Sequence, residues 1–366
     1  VRGASFSERA VIAPDPLEQL LRGAWLDPDR GAPIAVPLRS VAIERSLAGR
    51  EAELVAPLQL GRRLAVVSDA TTHAVLGARV ERALAPLGTI LPVVLERAPH
   101  ADAHTAERVR RACAAADALV AVGSGTLNDL CKHAAASDGK PYVVFATAPS
   151  MNGYASMNAA ITVDGHKKSL PASPPAGVFM DLGVLVGAPP RMIRAGLGDS
   201  LCRSTAQADW LLSHLLLGTE YRRAPFALLA GDEPVLLEAP EALLQGDVEA
   251  MRALARTLVL SGLGMTLCGG SHPASQGEHL ISHYIDMFAP SGRAAFFHGE
   301  QVAVATLTMA RLQEDILAAG PPRLQAGVVT RDTLQRLFGA VAGDSCWREF
   351  APKCLSGDAA AKLSQR

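Results

Sequence analysis

The chain has 366 residues, room for about two domains and a large buried core. Apolar residues make up 49% and aromatics 4%, which predicts aliphatic, helix-rich packing; a formal charge of -1 excludes the strong positive field that nucleic acid or an anionic membrane would need. The start, VRGASFSERA, has no signal-type apolar core and no run approaches a membrane span, while six cysteines at 113, 131, 202, 268, 346 and 354 lack any CxxC pairing, so buried free thiols in a reducing, cytoplasmic setting are expected.

Residues 1 to 35 are punctuated by Asp/Pro and Gly/Pro pairs, with one short helix expected near Leu17 to Trp25. VPLRSVAIER, 36 to 45, suggests an edge strand followed by a helix to about Ala56. A regular rhythm follows. Compact apolar runs at Arg63–Asp69, Ile90–Leu95, Asp117–Gly123 and Tyr142–Thr147 alternate with helical patterns at Ala74–Leu87, Thr105–Ala116 and from about Leu127. Short buried runs separated by helices imply a parallel sheet covered on both faces.

Ligands bind beyond the carboxyl ends of such strands, so the residues after each run carry the functional signal. Gly123-Ser124-Gly125-Thr126 offers glycine flexibility, two hydroxyls and a helix N-terminus, a combination suited to a pyrophosphate or to a plain strand-to-helix turn. It is not a GxGxxG fingerprint. Asp69 ends the first run, where a carboxylate can accept from ribose hydroxyls, favouring NAD over NADP, or can cap the next helix. Thr147 to Ser156, TAPSMNGYAS, is a hydroxyl-rich loop facing the same crevice. Ala160 to Lys168 predicts a hairpin turning at Asp164-Gly165, and its Lys167 and Lys168 are candidates for an anionic substrate group.

The proline-rich stretch 171 to 190 encloses a short strand, Val178–Asp181, and places a domain boundary near Ala188, giving units 1–188 and 189–366. Beyond it the pattern is helical almost to the end. Gly196-Leu197-Gly198-Asp199 is expected to precede a long helix, Ser200–Leu217, with Asp199 at its N-terminus. His279 and His283 are four apart in the helical pattern Glu278–Phe288, and His298, after a loop containing Pro290 and Gly292, opens another. Two imidazoles and a carboxylate converging across helices would leave a coordination position open for chemistry, while hydrogen-bonded histidines on a half-buried helix are the plainer alternative.

Taken together, GSGTLND, TAPSMNGYAS, DGHKKS, AGLGDSLCRSTAQADW, EHLISH and FHGEQVAV resemble the iron-containing alcohol dehydrogenase superfamily, and most of all its sn-glycerol-1-phosphate dehydrogenase branch, over roughly residues 37 to 350. The resemblance implies an α/β N-terminal Rossmann-like domain, an all-α C-terminal domain and an active site in the cleft between them. It implies Asp199, His279 and His298 as ligands of one divalent metal, Zn, Fe or Ni. NAD, or alternatively NADP, would meet Asp69 at the ribose, Gly123, Ser124, Gly125 and Thr126 at the pyrophosphate, and Thr147, Ser150 and Ser156 along its length, with Asp129 supporting the loop. His283 falls where the family contacts substrate, and Lys168 would meet a phosphate. Arg203 stands where the wider superfamily can have a further ligand histidine, consistent with three-ligand coordination.

One position departs from the branch: Asn152, in Met151-Asn152-Gly153, replaces a usual aspartate that contacts substrate. An amide keeps the size but loses the charge and gains donors. The expected activity is metal-assisted hydride transfer between NAD(P) and a small hydroxyketone or polyol phosphate, such as dihydroxyacetone phosphate and sn-glycerol 1-phosphate, in a homodimer or larger assembly. Alternatives are a sugar-phosphate cyclase of the dehydroquinate synthase type, which would carry a glutamate as first ligand and a glycine-lysine loop, or a non-catalytic nucleotide-binding relative.

Overall fold

The structure, a computed structural model, describes residues 15–238, 240–288, 296–320 and 324–364. The loop expected around Pro290 and Gly292 and the start of the N-terminal stretch lie outside the described residues. A two-residue ribbon, Trp25–Leu26 (β1) against Pro33–Ile34 (β2), follows a helix at Pro16–Leu21. Trp25 therefore belongs to a strand, because Gly23 at φ 64 ends the helix before it.

The sheet strands are Ser40–Glu44 (β3), Arg63–Asp69 (β4), Thr89–Leu95 (β5), Ala118–Gly123 (β6) and Tyr142–Ala146 (β7). A hairpin, Asn158–Val163 (β8) with His166–Pro171 (β9), precedes the last sheet strand, Gly177–Asp181 (β10). The order is β3-β10-β7-β6-β4-β5, and every pair is parallel. From β4 the chain moves outward to β5 and then returns to the other side of β4 as β6. The reversal makes the carboxyl ends of β4 and β6, at Asp69 and Gly123, the edge of the sheet where such folds take ligands.

Side chains along the strands alternate between two cores. Leu64, Val66, Val120, Val143, Phe145 and Phe179 pack on one face, beneath Leu76, Val80 and Leu84. Ala65, Val67, Leu119, Ala121, Val144, Val178 and Met180 face the other. That second core continues into Leu254, Leu258 and Leu263 of the helix Val248–Leu267, so the helical half is packed directly on the sheet. No strand follows Asp181 among the described residues.

Asp199 does not open a helix. It lies near the end of Pro190–Leu201, which continues with one break at Cys202 into Arg203–Leu217. The glycines that suggested a helix start are close-approach residues instead. A Cβ on Gly196 would fall 1.6 Å from the Pro149 carbonyl oxygen, and one on Gly198 would fall 2.5 Å from the Gly299 carbonyl oxygen. These contacts bring the Asp199 helix against both the Pro149 loop and the helix His298–Ala318. The helix dipole consequently gives no structural reason for a carboxylate at 199.

Candidate metal and nucleotide site

Asp199, His279 and His298 come from three helices and converge. His279 sits in the first turn of Gly277–Phe288 and His298 opens His298–Ala318. Asp199 Oδ1 lies 3.6 Å from His279 Nε2 and 3.7 Å from His298 Nε2. Ligand atoms around a tetrahedral ion with bonds of about 2 Å are roughly 3.3 Å apart, so a small inward movement would complete such a site.

Electrostatics point the same way. Asp199 Oδ2 accepts from the Asn152 main-chain N–H at 2.7 Å, whereas Oδ1 is buried with no hydrogen-bond partner. Glu278, also fully buried, flanks the far side of His279, accepting from Nδ1 at 3.0 Å. Among the described residues the only ion-pair partners of these two carboxylates are imidazoles. Burial raises the Asp199 carboxyl above the ordinary range and drives the His298 imidazole well below it. Two buried carboxylates with no lysine or arginine against them among the described residues leave negative charge for which a divalent cation can compensate.

The three residues line one side of a cleft of about 220 Å³, whose other walls include Ser124, Gly125, Thr126, Asp129, Ser150, Asn152, Ser156, Lys167, Ser169 and His283. Ser124 is the N-cap of the helix Gly125–Ser137 but makes no side-chain capping bond. The first-turn N–H groups of that helix have no intrahelical acceptor and border the cleft, which fits an anionic group of a nucleotide. Gly125 packs against the Met151 side chain, whose Sδ lies 2.7 Å from where a Cβ would stand.

Other expected residues take different places. Gly123, Thr147, Asp69 and Lys168 are not among the cleft-lining residues. Thr147 donates its main-chain N–H to the Gly123 carbonyl, tying the ends of two strands together. Asp69 is an N-cap: Oδ1 accepts from Thr71 and Thr72 at 2.7 and 2.8 Å, and Thr72 closes a capping box. In the hairpin, alternation sends Lys167 and Ser169 toward the cleft and His166 and Lys168 away from it. Lys168 meets Glu349 at 3.3 Å, so Lys167 replaces it as the cleft-facing cation.

Ser156 borders the cleft, but its hydroxyl is held by Lys132, a residue the sequence reading passed over. Lys132 is fully buried and donates to the Gly153 carbonyl (2.6 Å), the Asn158 carbonyl (2.9 Å) and Ser156 Oγ (3.1 Å). Asp129, one turn earlier, accepts from the Ala160 N–H at 3.1 Å. Burial drives Lys132 down to about 8 and Asp129 up, so desolvation outweighs their attraction across 3.9 Å. A lysine amid LNDLCKHAAA was the available signal. Asn152 directs its side-chain amide to the Asp199 carbonyl at 3.3 Å, a donation an aspartate could not make. His283 lines the cleft between these groups, and burial lowers its imidazole to about 3, leaving it neutral.

Residues 42–189 match the family model of the iron-containing alcohol dehydrogenases. The chain is 35% identical over 257 residues to a glycerol-1-phosphate dehydrogenase [NAD(P)+] of Halalkalibacterium halodurans, an alignment covering 68% of this chain but only 64% of that relative's length. It is 32% identical over 274 residues to the enzyme of the same name from Pyrococcus furiosus, covering 75% of this chain and 78% of the relative. In fold it is similar to a glycerol dehydrogenase from Schizosaccharomyces pombe, with a TM-score of 0.64 at 18% identity over 90% of this chain and 91% of that one. A glutamate first ligand, expected of the cyclases, has no counterpart in the Asp199 cluster. The chain belongs to the iron-containing alcohol dehydrogenase superfamily, in the branch of the glycerol-1-phosphate dehydrogenases.

Proposed function

We propose that the protein is a metal-dependent, NAD(P)-linked dehydrogenase that interconverts dihydroxyacetone phosphate and sn-glycerol 1-phosphate, or a closely related hydroxyketone and alcohol. The observation that carries this reading is the unpartnered Asp199 Oδ1, aimed between two imidazole nitrogens at the end of a cleft whose other end is an uncapped helix N-terminus. Asp199, His279 and His298 would hold one divalent cation, and Zn, Fe and Ni all suit two nitrogens and one oxygen. When bound, the cation supplies Lewis acidity toward the substrate oxygen.

The chain's own residues do the rest. Ser124, Gly125 and Thr126 would fix the cofactor's pyrophosphate, with Ser150 beside it, so that the nicotinamide reaches the substrate carbon. Lys167 would neutralise the substrate phosphate. A neutral His283 can hydrogen-bond a substrate hydroxyl and is too weak a base to carry a standing proton near neutral pH. Asn152 holds the Asp199 backbone and carboxylate in place, which supports a substrate bound without the extra carboxylate usual in the branch. The division into a nucleotide unit, 1–188, and a metal unit, 189–366, describes which half supplies each group. The shared core argues that the two halves fold together.

The test is NADH oxidation at 340 nm by metal-reconstituted protein, comparing dihydroxyacetone phosphate with unphosphorylated ketones, alongside Asn152→Asp. Turnover of dihydroxyacetone phosphate by the unaltered chain is expected. Activity confined to other carbonyls, or appearing only in Asn152→Asp, would overturn the substrate assignment.

A further inference from the structure

The tautomers of the two imidazoles are determined by proton bookkeeping outside the cluster. Asp286 is a carboxylate and can only accept, so the Gln301 side chain must direct its NH₂ there, at 2.8 Å. That orientation leaves Gln301 Oε1 facing Ser282, whose single hydroxyl proton it accepts at 2.6 Å. The Ser282 oxygen, its proton spent, can then only accept from His298 Nδ1, 3.2 Å away. His298 must therefore carry its proton on Nδ1 and present a lone pair on Nε2, the atom that faces Asp199. On the other ring, Glu278 Oε1 accepts from His279 Nδ1 and from the Gln276 N–H, which places a proton on Nδ1 and leaves Nε2 as the atom that faces Asp199.

We infer that Glu278 and the chain Asp286, Gln301, Ser282 are positioning residues that hold both imidazoles as Nδ1–H tautomers, leaving both Nε2 lone pairs for a divalent cation. The inference rests on the metal reading above, but its proton assignment stands on geometry alone. Ser282 and Glu278 are fully buried and Gln301 nearly so, so the groups next to the two rings are set by the protein's own packing. Outer partners of this kind set ring orientation and ligand basicity, and losing one costs about 10- to 100-fold in metal affinity. Asp286 is exposed and far enough along its helix to act only through Gln301 and Ser282.

The experiment uses the full chain in two measurements. Zn(II) affinity is determined by competition with a chromophoric chelator for wild type, Ser282→Ala and Gln301→Met. Ring ¹⁵N signals of His298 are recorded for the same metal-free proteins, with thermal unfolding confirming the fold. Gln301→Met removes the acceptor of the Ser282 proton without touching either imidazole, so a merely structural role would leave the His298 ring unaffected. Both variants are expected to bind Zn(II) about 10- to 100-fold more weakly, and their His298 signals should move from an Nδ1–H pattern to a tautomer mixture. Unchanged ring signals and unchanged affinity in both variants would overturn the inference. If wild type fails to bind Zn(II) while the ring signals respond as expected, the metal reading fails and the tautomer assignment survives it.

Discussion

Lys167 and Lys168 are adjacent in sequence and opposite in consequence. Strand alternation turns the first into the cleft and the second onto Glu349. A charge-assisted contact to phosphate is worth about 1.5 to 3 kcal/mol. Lys167→Ala should therefore raise KM for the phosphorylated substrate by about 10- to 100-fold, sparing unphosphorylated ketones, while Lys168→Ala should leave both unchanged. Equal effects of the two substitutions, measured in steady-state assays, would remove Lys167 from the site. The convergence of the residues at 199, 279 and 298 was legible because their types and motif contexts are distinctive. The choice between the two lysines was not, since it depends on which hairpin face meets the cleft. Glu278, Ser282 and Gln301 escaped notice for a related reason: the roles inferred for them lie in where protons point.

At the level of elements, the strands Arg63–Asp69 and Val178–Asp181 were legible as compact apolar runs, and the hairpin as a strand pair around Asp164-Gly165, both at positive φ. The Asp199 helix was not, because Gly196 and Gly198 look like helix breakers until the neighbouring backbones are in place. The link between the Gly125–Ser137 helix and the Asn152 loop was equally hidden. Lys132 makes it, and burial lowers its ammonium from an ordinary 10.5 to about 8. Between those values the unfolded chain keeps a proton that the folded chain has lost, so stability rises with pH across the window. The rise from this group is about 3 kcal/mol. Lys132→Met should remove that segment of the pH dependence and leave buried carbonyls short of a donor, at a cost of about 1–3 kcal/mol at pH 7. Urea unfolding at pH 7 and pH 10 distinguishes the cases, and an identical pH slope in both proteins would contradict the assignment.

At the scale of the whole molecule, the alternation of runs and helices carried the parallel sheet, and composition carried the helical half. How closely the halves share one core was beyond it, because that follows from the distant helix Val248–Leu267 packing on the sheet that holds β4. Among the described residues no helix is long and apolar enough to cross a membrane. Leu280, Tyr284, Ile285 and Phe288 nonetheless form an exposed stripe on one helix, with exposed Val304, Leu307 and Leu317 on the next. Such a surface on a 38.3 kDa chain supports the expected self-association, and sedimentation equilibrium should return at least twice that mass. A concentration-independent monomer would show that the stripe serves something else.

Asp199, His279 and His298 are proposed to hold the metal that hydride transfer requires. Chelator-stripped protein should oxidise NADH with dihydroxyacetone phosphate only after a divalent cation is restored, and Asp199→Asn should stay inactive, with metal affinity lowered by well over ~100-fold. Full turnover by the stripped protein, or by Asp199→Asn under the same conditions, would contradict the account.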